Sequence, residues 1–195
     1  LLMKRKITLG IAVVLCATMH AGGHVGIYRK GWIDFNKNGV KDIYEDSSAP
    51  LEARINNLLS QMTIDEKTCQ MATLYGSGRV LKDSLPTDKW KTEIWKDGIA
   101  NIDEQANGLG TFGFSLSYPY VNSVKNRQAI QRWFVEETRL GIPVDFTNEG
   151  IRGLCHDRAT MFPAQCGQGA TWDKELISKI AHVTAQEAKA LGYTN

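Results

Sequence analysis

Apolar residues recur at helical spacing along much of the chain, and this pattern predicts four helices. Their predicted ranges are 50–62, 63–71, 122–140 and 174–191. Local end signals support two of them. Thr63 and Glu66 form a capping box at the start of the second helix. Asp173 can cap the start of the last helix, and Gly192 can end it. Helices therefore account for most of the predicted regular structure.

A short apolar strand, Pro143 to Phe146, lies between the last two helices, and a polar turn that carries Glu149 follows it. Helix, short apolar strand and helix in alternation predict βα units with parallel pairing, and hence an α/β fold. In βα barrels the ligand groups lie where strands end at their carboxyl side. Glu149 is therefore the first candidate for a binding residue.

The N-terminus, residues 1–21, is predicted to be an export signal. Lys4, Arg5 and Lys6 form a basic start, and an apolar run from Ile7 to Ala17 follows. A span of the bilayer needs ~20 apolar residues, so this run fits a cleavable signal instead. Cleavage after Ala21 would give a secreted or periplasmic protein with no membrane contact. The net charge of +2 gives no reason to expect a nucleic-acid partner.

Residues 22–49 are predicted to be an N-terminal extension with a segment, 34–45, that fits the twelve-residue calcium-loop template. We call residues 34–45 the calcium-loop segment. Its alternate side chains supply hard oxygens, and Gly39 permits the sharp turn. Against this, Lys41 stands where such loops carry an apolar residue, and an Asx-rich surface turn explains the same residues. Both interpretations stay open. The candidate ligands of a structural Ca²⁺ are Asp34, Asn36, Asn38, Asp42 and Glu45.

Some residues with possible chemistry are predicted to have packing roles. Trp90 and Trp95 could stack on a sugar ring, but at this spacing they face different sides of a helix, which favours packing. Cys155 and Cys166 could pair in an oxidising compartment, although an unpaired cysteine is the commoner case.

Several motifs resemble the start of the catalytic domain of family 3 glycoside hydrolases, the β-glucosidases and β-xylosidases. They are Leu-Leu-Ser-Gln-Met-Thr-x-x-Glu-Lys-x-x-Gln-Met from residue 58, Gly-Ile-Pro from 141, Ala-Thr-Met-Phe-Pro from 159 and Ala-Thr-Trp-Asp from 170. The resemblance implies that residues 50–195 are the N-terminal part of a (β/α)₈ TIM barrel, incomplete in this chain. Within it, the run Gly-Leu-Gly-Thr-Phe-Gly at 108–113 resembles the first barrel strand.

The resemblance also assigns roles at the site. Glu149 matches the family's acidic residue that accepts hydrogen bonds from hydroxyls of the non-reducing sugar. Arg152 and Arg158 lie near the same rim, where they could assist substrate binding or could instead pair with Glu149. The family's nucleophile and acid/base correspond to positions beyond Asn195, so no catalytic residue is expected in this chain and no cofactor is required.

The predicted function is that of the N-terminal portion of a secreted retaining β-glycosidase, of the β-glucosidase type, that acts on terminal β-linked sugars of oligo- or polysaccharide-derived glycosides. By itself this chain is expected to hydrolyse nothing. The alternative is a stand-alone secreted carbohydrate-binding or calcium-loop module without catalysis.

Overall fold

A computed structural model describes residues 26–75, 85–92, 96–104 and 119–195. Three sequence predictions fall outside these residues: the export signal at 1–21, the packing role of Trp95 and the strand at 108–113.

The described residues form five short strands, five α-helices and two 3₁₀ helices. The strands are β1 (Tyr28–Arg29), β2 (Trp32–Ile33), β3 (Thr73–Tyr75), β4 (Asn101–Asp103) and β5 (Asp145–Thr147). The α-helices are α1 (Leu51–Gln61), α2 (Ile64–Cys69), α3 (Tyr120–Glu137), α4 (Gln165–Gly169) and α5 (Lys174–Leu191). The 3₁₀ helices are Ile43–Glu45 and Asp88–Lys91.

The central sheet has three parallel strands in the order β3-β4-β5, so β4 pairs with β3 and β5 pairs with β4. The register places Leu74 opposite Ile102, and Ile102 opposite Phe146. Beyond β5, the chain end at 193–195 lies along the free edge, where the Thr194 amide donates to the Phe146 carbonyl at 2.8 Å. β1 and β2 form a separate antiparallel hairpin. The predicted parallel α/β arrangement is therefore present.

Side-chain caps fix the helix starts that the sequence predicts. The Thr63 hydroxyl accepts the Glu66 amide at 3.2 Å, and Glu66 accepts the Thr63 amide at 2.8 Å, which confirms the capping box. Asp173 accepts the Leu176 amide at 3.0 Å, which confirms the predicted cap of α5. Arg139 binds both oxygens of Glu66. Burial would raise the pKa of Glu66, but the hydrogen bonds from Arg139 and Thr63 outweigh it, and this pKa lies below its usual value.

Helix α3 ends at Glu137, three residues before the predicted end at Leu140. Thr138 adopts an extended conformation, with ψ of 154°. The ammonium of Lys37 donates to the Val135 carbonyl at 2.9 Å and to the Thr138 carbonyl at 2.5 Å. A cation that binds the last carbonyls stabilises a helix C-terminus. The calcium-loop segment therefore ends this helix through a contact distant in sequence.

The core lies between the sheet and α3. Trp90 is fully buried and packs edge-on against Trp133, with ring centroids 5.3 Å apart. Trp133 packs in turn against Phe134 at 5.2 Å. This burial confirms the packing role predicted for Trp90. The other residues of this core are Ile99, Ile102, Ile130, Val144, Phe146, Leu154 and Tyr193.

Helices α1 and α5 bury none of their residues in the structure. On α1, Leu51 and Leu59 are exposed, and on α5 Leu176 and Ile177 are exposed. The apolar stripes that predicted these helices are therefore partly exposed, although Ala188 and Leu191 of α5 are half-buried against the core. Among the described residues, no helix is both long enough and apolar enough to pass through a membrane.

Candidate functional site

The parallel strands bring polar side chains from three distant segments to one edge of the sheet. Tyr75 ends β3, and Asp103 ends β4. Thr147 ends β5, and its hydroxyl lies 2.8 Å from a carboxylate oxygen of Asp103. Because parallel strands share their carboxyl ends at one edge, this is where a ligand site is expected. Glu149 lies two residues beyond Thr147, at the same edge.

Asn148 fixes the loop that carries Glu149. Its side-chain oxygen accepts the Cys155 amide at 2.8 Å, and its side-chain nitrogen donates to the Cys155 carbonyl at 2.9 Å. The two bonds close the segment 149–154 into a ring. Gly153 has a φ of +93°, and a Cβ built there would lie 2.0 Å from the Thr160 carbonyl oxygen. Only glycine fits this close approach of two backbone segments.

A cavity of about 450 Å³ opens on this loop. Glu149 and Arg152 line it, so the structure brings these two predicted substrate-binding residues together. Arg158 does not line this cavity; it borders a separate depression of about 180 Å³ beside α5. The remaining lining residues are Ile151, Gly153, Leu154, Cys155, His156, Asp157, Ala159 and Met161.

Glu149 is exposed, and the phenol of Tyr75 donates a hydrogen bond to one of its carboxylate oxygens. Among the described residues, neither Arg152 nor Arg158 forms an ion pair with Glu149. The alternative that one of these arginines pairs with Glu149 is therefore not supported by these contacts. Tyr75 was not among the site residues predicted from the sequence. No local signal could have identified it, since only the sheet order joins it to Glu149.

Three groups at or beside the cavity have shifted pKa values. Burial, then a hydrogen bond to Glu104, raises the pKa of the Cys155 thiol to about 12. The hydrogen bond to Glu149, followed by burial, raises the pKa of Tyr75 above its usual value. Burial lowers the pKa of His156. Cys155 and Cys166 are both free thiols, without the disulfide that the sequence left open.

The calcium-loop segment is held together by its own side chains. Glu45 accepts the Phe35 amide at 2.7 Å with one carboxylate oxygen and the Asp42 amide at 2.9 Å with the other. Asn36 and Asn38 each donate a side-chain amide to Asp42, at 2.7 and 2.8 Å. Oxygens that a calcium ion would need already accept hydrogen bonds, as an Asx-rich turn requires.

Asp34 is the exception in this segment. It is 1% exposed, and one oxygen accepts the Gly39 amide at 3.0 Å and the Arg29 guanidinium at 3.2 Å. The other oxygen has no hydrogen-bond partner, which is costly for a buried carboxylate. Within residues 26–75, 85–92, 96–104 and 119–195, no three His, Cys, Asp or Glu side chains are grouped so that they could hold a metal ion. Calcium binding would require Glu45 to release backbone amides, and it stays a prediction.

If the calcium-loop segment binds Ca²⁺, a chelator should lower the Tm of the protein and added Ca²⁺ should restore it, because a ligand at ~100 times its Kd stabilises the folded state by about 2.7 kcal/mol. Asp34→Asn should abolish this calcium-dependent shift, since it removes the buried charge. Melting curves with Ca²⁺, with Mg²⁺ and with chelator make the measurement. Superimposable curves in all three would leave the Asx-turn interpretation in place.

Fold and site together define an α/β protein that presents a carboxylate at the carboxyl ends of parallel strands, beside a cavity of small-ligand size. A sequence model described as "Glycosyl hydrolase family 3 N terminal domain" matches residues 63–195, which is more than half of the chain. The chain belongs to this family.

Individual relatives agree with this assignment. The chain is 25% identical over 158 residues to "Beta-glucosidase C" of Emericella nidulans, which covers 77% of the chain and 24% of that protein. It is 27% identical over 178 residues to "Periplasmic beta-glucosidase/beta-xylosidase" of Dickeya chrysanthemi, which covers 83% of the chain and 25% of that protein. A "Beta-xylosidase" of Formosa agariphila is 40% identical over 62 residues, 29% of the chain and 9% of that protein. The chain thus spans a quarter or less of the length of these relatives.

Proposed function

We propose that the chain forms the N-terminal part of a retaining β-glycosidase of the β-glucosidase type, which hydrolyses terminal β-linked sugars. The observation that carries this proposal is the exposed carboxylate of Glu149 in the cavity at the strand ends, held by a neutral phenol rather than by an arginine. Relatives named as β-glucosidases and β-xylosidases support the substrate class.

In this proposal, β3, β4 and β5 are the first strands of a (β/α)₈ barrel. Their support is the parallel pairing in chain order. A barrel of this kind keeps its active site at the carboxyl ends of its strands. That is the edge at which Tyr75, Asp103 and Glu149 meet.

Glu149 binds hydroxyls of the sugar that is cleaved off. A carboxylate forms charge-assisted hydrogen bonds with two adjacent hydroxyls, and a substrate that lacks one of them leaves the charge unpaired. Arg152, on the same cavity, could donate to a sugar further from the cleaved bond. Arg158 lies on the neighbouring depression, so its role as a substrate ligand has weaker support.

The proposed location is outside the cytoplasm, either secreted or periplasmic. Support comes from the basic start, Lys4 to Lys6, and the apolar run that follows it. One relative carries "Periplasmic" in its name.

The test is an assay of two proteins with nitrophenyl β-glucoside and β-xyloside: the product of the complete reading frame and residues 22–195 alone. We expect turnover by the first and none by the second. Retaining hydrolysis needs two carboxyl groups about 5–5.5 Å apart, and the family resemblance puts both beyond Asn195.

The opposite result would be that residues 22–195 fold cooperatively and turn over the substrate, and that a mutation within this range abolishes that turnover. This result would contradict the expectation that both catalytic carboxyl groups lie beyond Asn195. The second carboxyl group would then have to be sought near Glu149, with Asp103 and Glu104 as the first candidates. If sugar bound to the complete product without turnover, the carbohydrate-binding alternative would take the place of the enzyme.

A further inference from the structure

Tyr75 reaches Glu149 across the sheet. The two residues lie 74 positions apart, and β4 lies between the strands that carry them. The phenol donates to one oxygen of the carboxylate. Among the described residues, no donor reaches the other oxygen of Glu149. One oxygen of the carboxylate is therefore held by the protein, and Glu149 also lines the cavity.

The chemistry of the donor matters at this position. Asp103 and Glu104 lie close enough to Tyr75 to act on it electrostatically, so the site is rich in negative charge. An arginine or lysine here would pair with Glu149 and compete with a neutral ligand for both of its oxygens. A phenol holds the carboxylate by a single hydrogen bond and leaves its charge in place.

Stability gives a weaker explanation for this contact. Tyr75 is 36% exposed and Glu149 is exposed, and a hydrogen bond in such a place contributes little to the free energy of folding. A glutamate on a loop would otherwise sample several rotamers, each of which presents its oxygens differently. The contact selects one orientation of the side chain.

We propose that Tyr75 is a positioning residue that orients Glu149 so that its second carboxylate oxygen meets the hydroxyls of the bound sugar. The inference rests on the proposed role of Glu149. Tyr75 need not touch the sugar; it acts through the carboxylate, and its effect should vanish when the carboxylate is absent.

The experiment is a double-mutant cycle with Tyr75→Phe and Glu149→Ala in the product of the complete reading frame. Tyr75→Phe should lower kcat/KM for nitrophenyl β-glucoside by ~10-fold, because a small misplacement of a positioning group can cost up to ~100-fold. In the Glu149→Ala background, Tyr75→Phe should have no further effect. If turnover is too slow to measure, the same four proteins can be compared by the Kd of methyl β-glucoside, measured by NMR titration.

Tyr28→Phe is the matched control, because Tyr28 donates to Glu136 at 2.8 Å in another exposed tyrosine–glutamate pair, on residues that do not line this cavity. It should change neither kcat/KM nor Kd, and both tyrosine variants should keep the wild-type Tm. An equal loss from Tyr75→Phe with and without Glu149 would overturn the proposal, and so would no loss in the wild-type background. If Glu149→Ala alone changed neither constant, the proposed sugar-binding role of Glu149 would be wrong. That result differs from an equal loss in both backgrounds, so the experiment distinguishes a failure of the role of Glu149 from a failure of the role of Tyr75.

Discussion

Glu149→Ala is expected to lower kcat/KM for an aryl β-glucoside by at least ~100-fold in the product of the complete reading frame. Hydrogen bonds to sugar hydroxyls that strengthen in the transition state contribute several kcal/mol, and a 100-fold loss corresponds to about 2.7 kcal/mol. The loss should appear in kcat as well as in KM, because the contact is stronger in the transition state than in the ground state. Steady-state kinetics measure both constants.

Two variants make this result specific. Glu149→Gln keeps the shape of the side chain and removes its charge, so it should fall between wild type and alanine. Glu52→Ala removes an exposed glutamate from α1, on residues that line none of the site, and should leave the kinetics unchanged. Wild-type kinetics for Glu149→Ala would remove this residue from the sugar site.

Gly153→Ala is expected to disrupt the cavity loop and to lower the stability of the chain. The φ of +93° disfavours any side chain, and a Cβ would lie 2.0 Å from the Thr160 carbonyl oxygen. Backbone strain and overpacking together should cost roughly 2–4 kcal/mol of the free energy of unfolding. For a protein of this size, the Tm should fall by roughly 5–15 °C. Urea titration and thermal melting measure the two quantities.

Gly169→Ala is the matched control for this substitution. Gly169 lies at the end of α4, its φ is not positive, and a Cβ there would meet nothing within 4 Å. Alanine in a helix is more stable than glycine by roughly 0.5–1 kcal/mol, so this variant should keep or raise the Tm. Equal Tm values for the two variants would show that the loop can move away from Thr160 at little cost.

The helices were predictable from sequence because their signals are local. The box of Thr63 and Glu66 and the cap at Asp173 each lie within one turn of the helix that they start. The predicted end of α3 is wrong, because the helix ends at Glu137 rather than at Leu140. At this end Lys37, which is distant in sequence, binds backbone carbonyls. The contact joins residues about one hundred positions apart, and no local pattern contains it.

The strands were predicted less well. β5 was predicted at 143–146 and lies at 145–147, and β3 and β4 were not predicted. Each has only three residues, too few for a periodic pattern. In β4, Asn101 and Asp103 are polar yet buried, because the Thr147 hydroxyl lies 3.0 and 2.8 Å from their side-chain oxygens. Their burial depends on a partner that only the folded sheet provides.

The cavity residues show the same difference between local and distant signals. Glu149 and Arg152 lie three residues apart on one loop, so a motif could identify both, and both line the cavity. Tyr75 contributes through the sheet and has no motif of its own. Arg158 belongs to the same stretch of sequence, but the turn after Asp157 directs it to another depression. Proximity in sequence therefore predicted which residues line the same cavity only over a few positions.

The sheet order β3-β4-β5 has a consequence for biosynthesis. Among the described strands of this sheet, β4 pairs with β3 and β5 pairs with β4, and Thr194 binds β5 in turn. Because synthesis proceeds from the N-terminus at roughly 5–20 residues per second, each new strand leaves the ribosome when its partner edge is already available. Pairing within this sheet can then follow translation step by step, and the edge that receives each new strand is that of the strand made before it. A pause in translation between two strands would prolong the exposure of that edge.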